Sequence, residues 1–228
     1  MLRDLGADFA CDGEGLTVDS SLVRGFTSQV NAQTGAYVEG ATVNAMDRDR
    51  LVNLVLRIAS AVPGCPQKKL FAILYVADVV HFRGTGRTIT RLAYFAGSSA
   101  PYPHHLSHEL RGHLRPDLNA LIALRPDPAD DSRHLVFGRE GMTFNDEQFT
   151  RRQLATVEAV LTEYGPLSLD AFDFDRVDNG AFHRALGRGK HKPVHFEEAV
   201  DKRDENSAAV LAQAAEYRGR EQALAIRD

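Results

Sequence analysis

The stretch KLFAILYVADVVHFRGTGRTIT, Lys69 to Thr90, sets one carboxylate, Asp78, in an almost unbroken apolar run and follows it with a glycine-punctuated basic turn. A helix over about 67–82 carries Leu70, Phe71, Ile73, Leu74, Val76, Ala77, Val79 and Val80. It is apolar nearly all round, so it must be the central, buried helix on which the other elements pack. The apolar run is about half of the ~20 residues that a membrane span requires. A buried carboxylate without partners costs several kcal/mol, so Asp78 needs a cation or a set of N–H donors within reach. On a helix it shares a stripe with Phe71, Tyr75, His81 and Phe82. The best donors in sequence are His81, Arg83, Arg87 and the backbone of the RGTGRTIT turn. Asp78 is therefore read as a latch that ties the turn and the strand after it onto the helix, in preference to a catalytic acid.

With 228 residues, 43% hydrophobic and 25% charged, the chain can build one sizeable core with room for an appendage. The formal net charge of −4 argues against a general affinity for nucleic acid, which needs a large basic surface. The start MLRDLGADFACDGEG lacks the apolar segment of a signal peptide, so the expected location is the cytoplasm. Cys11 and Cys65 lie far apart without a second pair, and free thiols are expected.

Three regions follow from the patterning. Residues 1–44 keep neither period for long and read as an N-terminal extension of weak order. The folded domain spans 45–200, and 201–228 is a C-terminal helical tail with a thin apolar face of Val210, Leu211, Ala214 and Tyr217. Within the domain, Leu51, Leu54, Val55 and Ile58 mark an amphipathic helix closed by Pro63-Gly64. Thr88 to Ala96 reads as a short strand and SSAPYPHH as an extended loop. His104 to Leu114 and Pro116 to Leu124 read as helices, and RPDPADDS as a surface loop. HLVFGREGMTF reads as a hairpin around Gly138 to Gly141. Asn145 caps the next helix with Gln148 reaching back, and Phe144 and Phe149 form a hydrophobic staple; the helix runs to Gly165-Pro166. The fold class is mainly α (α+β): a helical domain around a buried central helix, with a small antiparallel β element.

Chemistry-bearing groups are sparse. His104 and His108 lie about 40° apart around a helix and have the spacing of a metal-binding pair, but no third ligand is near in sequence. His108 and His113 are about 140° apart, so HELRGH is not a zinc-protease motif. RGTGR is too short to wrap a pyrophosphate and reads as a plain turn. The loop with Arg188, Lys190, His191, Lys192 and His195 reads as a solvated charge run.

The order Lys69, Leu74-Tyr75, Ala77-Asp78, His81, Gly86-Arg87, Ile89-Thr90, Tyr94 and Pro101-Tyr102-Pro103 resembles the Panacea domain, also called the antitoxin SocA-like domain. That pattern runs K-x-L-L-Y-x-A-D-x-x-H, G-R-x-I-T, a tyrosine and G-P-x-P, and it covers about 47–103. A weaker likeness continues to Lys192–Phe196, where the family has an I-P-Y-like sequence. The glycine of G-P-x-P is Ala100 here, which puts the geometry of that tight loop in question. The resemblance implies a bacterial or phage protein that neutralises a toxin by direct binding, in some cases as an adaptor to a protease. It makes Lys69, Tyr75, Asp78, His81, Gly86, Arg87, Thr90, Tyr94, Pro101 and Pro103 the candidate motif and partner-binding residues. The expected function is thus a non-enzymatic antitoxin-like protein whose partner is a cognate toxin, without cofactor, metal, membrane or nucleic acid. Two other classes are weighed against it: a metal-dependent enzyme using His104, His108 and an acid such as Asp78, and a nucleic-acid-binding regulator using the 188–195 loop.

Overall fold

The computed structural model describes residues 45–111 and 114–225. Helix α1 (Ala45–Ala61) forms on the stripe Leu51, Leu54, Val55 and Ile58, all buried. It ends before the Pro63-Gly64 turn, where Gly64 takes a φ of 69°. Strand β1 (Cys65–Pro66) leads directly into α2 (Gln67–Thr85), which is buried without a break from Lys69 to Val79. Fully burying a large apolar side chain contributes about 1.5–3 kcal/mol, so α2 supplies much of what holds the domain together. Val80, expected in the core, is 43% exposed and marks the side of α2 that faces outward. Mean fold class agrees with the sequence reading: helices around one central helix, with small antiparallel sheets.

The remaining elements follow in order. Strands β2 (Tyr94–Ala96) and β3 (Pro101–Pro103) pair antiparallel, Tyr94 opposite Pro103 and Ala96 opposite Pro101. Short helices α3 (His104–Glu109) and α4 (Pro116–Leu121) precede β4 (Ile122–Asp127) and β5 (Asp130–Gly138), which form a sheet in the order β1-β5-β4. Then come α5 (Arg151–Tyr164), α6 (Phe174–Asp178), α7 (Ala181–Gly187) and α8 (Ser207–Ala225). Among these, α5, α6 and α8 pack on α2. No helix among the described residues is long and apolar enough to cross a membrane. Cys65 is buried and free, and burial pushes its thiol up to about 12.

Several local expectations are corrected. The strand over 88–96 shrinks to 94–96, because residues 89 and 90 bond to Asp78 and Arg91 takes a left-handed φ of 59°. Pro101–Pro103, read as loop, is a strand. Its prolines are tolerated because the two-stranded ribbon leaves β3 an edge. The hairpin lies one element earlier than the Gly138–Gly141 turn suggests. RPDPADDS is not a loop but the end of β4, a turn at Pro128-Ala129 and the start of β5, while MTF is no strand. The apparent helix 116–124 stops at Leu121, since Ile122 to Leu124 pair with Gly138 to Val136. The 104–114 helix stops at Glu109. Asn145 caps only a 3-10 turn at Asp146–Gln148. The longer helix starts at Arg151 under a reciprocal capping box of Thr150 and Gln153, which outcompetes the Asn145 signal. Phe144 and Phe149 do meet, with ring centroids 5.3 Å apart. The weak order read for 1–44 and the position of His113 fall outside the described residues.

Gly86 has two separate reasons to be glycine. It ends α2 in the left-handed region at φ 67°, donating its amide to the Phe82 carbonyl. A Cβ there would also stand 2.6 Å from the Val210 carbonyl oxygen and 2.9 Å from the Ala214 amide of α8. Val210 and Ala214 bury against Phe82 and Val200, so the thin apolar face of the tail docks on the end of α2. Gly86→Ala is expected to cost about 1–2 kcal/mol for the left-handed backbone alone, and to loosen α8, because backbone atoms cannot rotate away. Hydrogen exchange over 207–220 should accelerate in the variant. Unchanged protection there would show that α8 does not depend on this contact.

Candidate functional site

The polar residues of α2 each fasten a different segment to the central helix. Lys69 donates from Nζ to the Gly165 carbonyl at the end of α5, 2.6 Å away. Tyr75 donates its hydroxyl to Asp178 Oδ2 at 2.6 Å. Asp78 accepts at Oδ1 the main-chain amides of Ile89 (2.6 Å) and Thr90 (2.9 Å), and at Oδ2 the hydroxyls of Thr90 and Tyr94, the latter at 2.9 Å. His81 donates from Nδ1 to the Arg87 carbonyl at 2.8 Å. Tyr75, Asp78 and His81 follow one another at three-residue steps. Their directions therefore fan around the axis by about 60° each, and each meets a separate neighbour.

The latch reading of Asp78 holds, with its donors corrected. The turn backbone is present as expected, whereas His81, Arg83 and Arg87 do not bond the carboxylate. Arg83 instead donates to the Val177 carbonyl at 3.0 Å, and the hydroxyls of Thr90 and Tyr94 are donors the sequence did not single out. Burial pushes Asp78 up to about 6, against the lowering influence of its four donors.

A second buried carboxylate was missed by sequence reasoning. Asp178, fully buried at the end of α6, accepts from Tyr75 and from the Phe182 amide at 2.9 Å, both at Oδ2. Among the described residues its Oδ1 has no hydrogen-bond partner. Burial raises its pKa, while the Tyr75 hydroxyl and nearby main-chain amides act against the rise. The two carboxylates belong to one cluster: Tyr75 and Tyr94 meet edge to face, 5.2 Å between centroids, and Phe196 packs 5.9 Å from each. The signal that points to Asp178 is Tyr75 itself, because a tyrosine inside an apolar helix needs a partner for its hydroxyl.

The segment around Phe196 reaches this cluster along β2. Ala96 donates to the Lys192 carbonyl at 2.8 Å, and Val194 donates to the Tyr94 carbonyl at 2.8 Å. Pro101 and Pro103 are buried in β3, and Ala100 closes the 97–100 turn by accepting the Gly97 amide at 3.1 Å. Ala100 is outside the left-handed region, so alanine fits where the resembled pattern has glycine.

Of the ten motif residues, only Arg87 is exposed. Gly86 is covered by α8 and the others lie in the interior. Arg87 borders a cavity at the end of α2, lined also by His81, Arg91, Arg152 and Tyr217. The histidines near β3 do not assemble a ligand set: no three His, Cys, Asp or Glu side chains among the described residues come together in metal-binding geometry. In the basic loop, Arg188 is paired with Glu198 at 2.8 Å, and His191 bonds the Tyr102 hydroxyl at 2.7 Å. Comparison with protein-family models, curated proteins and solved structures finds no match to this chain.

Proposed function

We propose that this chain is a non-enzymatic, cytoplasmic antitoxin-like protein that neutralises a cognate toxin by direct protein–protein contact. The reading rests on the resemblance of the 69–103 motif to the Panacea (SocA-like antitoxin) domain. The observation that supports it is the internal use of that motif: Lys69, Tyr75, Asp78 and His81 each engage another atom of the same chain. Such a motif frames a scaffold and leaves the exterior free to differ from one partner to another, so recognition runs through surface residues. Partner contact then falls to exposed groups such as Arg87 and to the outer face of α8.

The test is coexpression with the product of the adjacent open reading frame. That product alone should arrest growth, this chain should restore it, and the two should copurify. Arrest that persists at equal expression of this chain would refute the reading. If the chain also acts as a protease adaptor, the toxin's half-life should shorten when both are present.

A further inference from the structure

A cavity of about 700 Å³ opens between the C-terminal turn of α2, residues 147–153 and α8. Small-molecule sites span ~300–1,000 Å³. Four guanidiniums line it: Arg50 from α1, Arg87 and Arg91 from the loop after α2, and Arg152 from α5. Asp47, itself buried, pairs with Arg50 at 3.3 Å and with Arg91 at 2.7 Å, and Glu147 also lines the cavity. Arg87 and Arg152 form no ion pair among the described residues. Arg87 lies over the Tyr217 ring, 4.6 Å from its centroid, and Arg152 donates to the Gly84 carbonyl at 2.8 Å. Among the described residues, four guanidiniums and two carboxylates meet at this concave surface, two positive charges in excess. Thr150 and Gln153 already cap α5 reciprocally, so the attraction comes from the side chains rather than from the helix end.

We propose that this cavity binds the phosphoryl group of a small phosphorylated molecule. A phosphoryl group carries a charge of about −1.5 to −2 at pH 7 and three acceptor oxygens, which matches the excess charge and lets guanidiniums approach from several sides. A single carboxylate would neutralise only half of that excess. Arginine is the side chain suited to the task, since its planar fork donates two parallel hydrogen bonds and stays charged. Water occupies ~30 Å³ in the liquid, so a bare phosphate ion of a few water volumes leaves most of the cavity open for an organic moiety. The open Arg87 and Arg152 forks are the groups such a ligand would engage first. The site goes beyond the partner-binding reading and does not depend on it, so a failed titration here leaves that reading standing.

The experiment is calorimetric titration of the full chain at constant ionic strength with inorganic phosphate, ribose 5-phosphate, adenosine 5′-monophosphate, adenosine and succinate. An organic phosphate should bind more tightly than inorganic phosphate; adenosine should not bind, and succinate, whose two charges sit on separate planar carboxylates, should bind more weakly than the organic phosphate. Arg87→Gln with Arg152→Gln should weaken the organic phosphate by about tenfold or more, the loss expected for two charge-assisted hydrogen bonds. Both arginines are exposed, so the double variant should melt with the wild type. If it melts early, Arg152→Lys takes its place; it keeps the charge but loses the fork, and weaker binding is again expected. The proposal is overturned if none of the three phosphates binds more tightly than about 10 mM, if succinate binds equally well, or if the variant that folds binds as the wild type does.

Discussion

Asp78→Ala is expected to lower stability by roughly 2 to 4 kcal/mol, because four donors lose their acceptor inside the core. For a domain of this size each kcal/mol moves the midpoint by about 2–4 °C, so Tm should fall by roughly 5 to 15 °C. Asp78→Asn should cost much less, about 1–2 kcal/mol. The reason lies in how the donors divide. The fixed main-chain amides of Ile89 and Thr90 both meet Oδ1, which the amide oxygen of asparagine can replace. The other oxygen meets hydroxyls of Thr90 and Tyr94, which rotate and accept as well as donate. Acid should also separate the two proteins. Asp78 is raised from 3.8 to about 6 by burial, so the folded state holds the proton more tightly than the unfolded chain does. This contribution to stability is fully present below pH 3.8 and is lost as pH rises to about 6; it amounts to about 3 kcal/mol. Asp117, held down to about 2 chiefly by its hydrogen bond from Arg48, contributes in the opposite sense but titrates below this window. Denaturant melts from pH 4 to 6 should therefore show wild type losing stability relative to Asp78→Asn. Parallel curves would mean that Asp78 does not titrate in the core, and an alanine variant with wild-type Tm would remove the latch altogether.

Tyr75→Phe tests the second carboxylate. Its hydroxyl donates to Asp178 Oδ2 beside the Phe182 amide, while Oδ1 has no hydrogen-bond partner among the described residues. Removing the hydroxyl takes the only side-chain donor among the described residues from a buried carboxylate, at an expected cost of about 1–3 kcal/mol. The Tyr75 bond also restrains the raised pKa of Asp178, so the variant's Asp178 should move further up. The deficit should then be largest where Asp178 is ionised, and it should shrink as acid protonates the carboxyl in both folded and unfolded chains. A double-mutant cycle with Asp178→Ala should show a coupling of about 1–2 kcal/mol. Additive losses would mean that the hydroxyl and carboxylate do not hold each other.

Local periodicity carried the helices that matter most. The all-round apolar run of α2 has no other stable use than a central helix, and the stripe in α1 points inward for the same reason. The thin face of the tail was also visible, down to Val210 and Ala214. Strands were less legible: β3 contains two prolines, β4 carries Arg125-Pro126 near its end, and each becomes a strand only because a partner strand takes its free hydrogen-bonding groups. The helix start at Arg151 lost out in sequence to Asn145, since two capping signals stand within a few residues of each other. The reciprocal capping box of Thr150 and Gln153 selects the later start, and packing on α2 holds the helix there.

For the site, the sequence by itself determined that Asp78 had to be satisfied and that the turn after α2 was close enough to do it, because an unpaired charge in an apolar helix is too costly to leave. Tertiary structure alone decided the rest. Asp178 lies 103 positions from Tyr75 and reads as a surface acid until α6 brings it in. Arg50, Arg87, Arg91 and Arg152 are scattered through the chain and become one basic cavity only where α1, α2, α5 and α8 meet. Short-range pattern records what each residue needs, but which distant group meets that need depends on how the elements pack around α2.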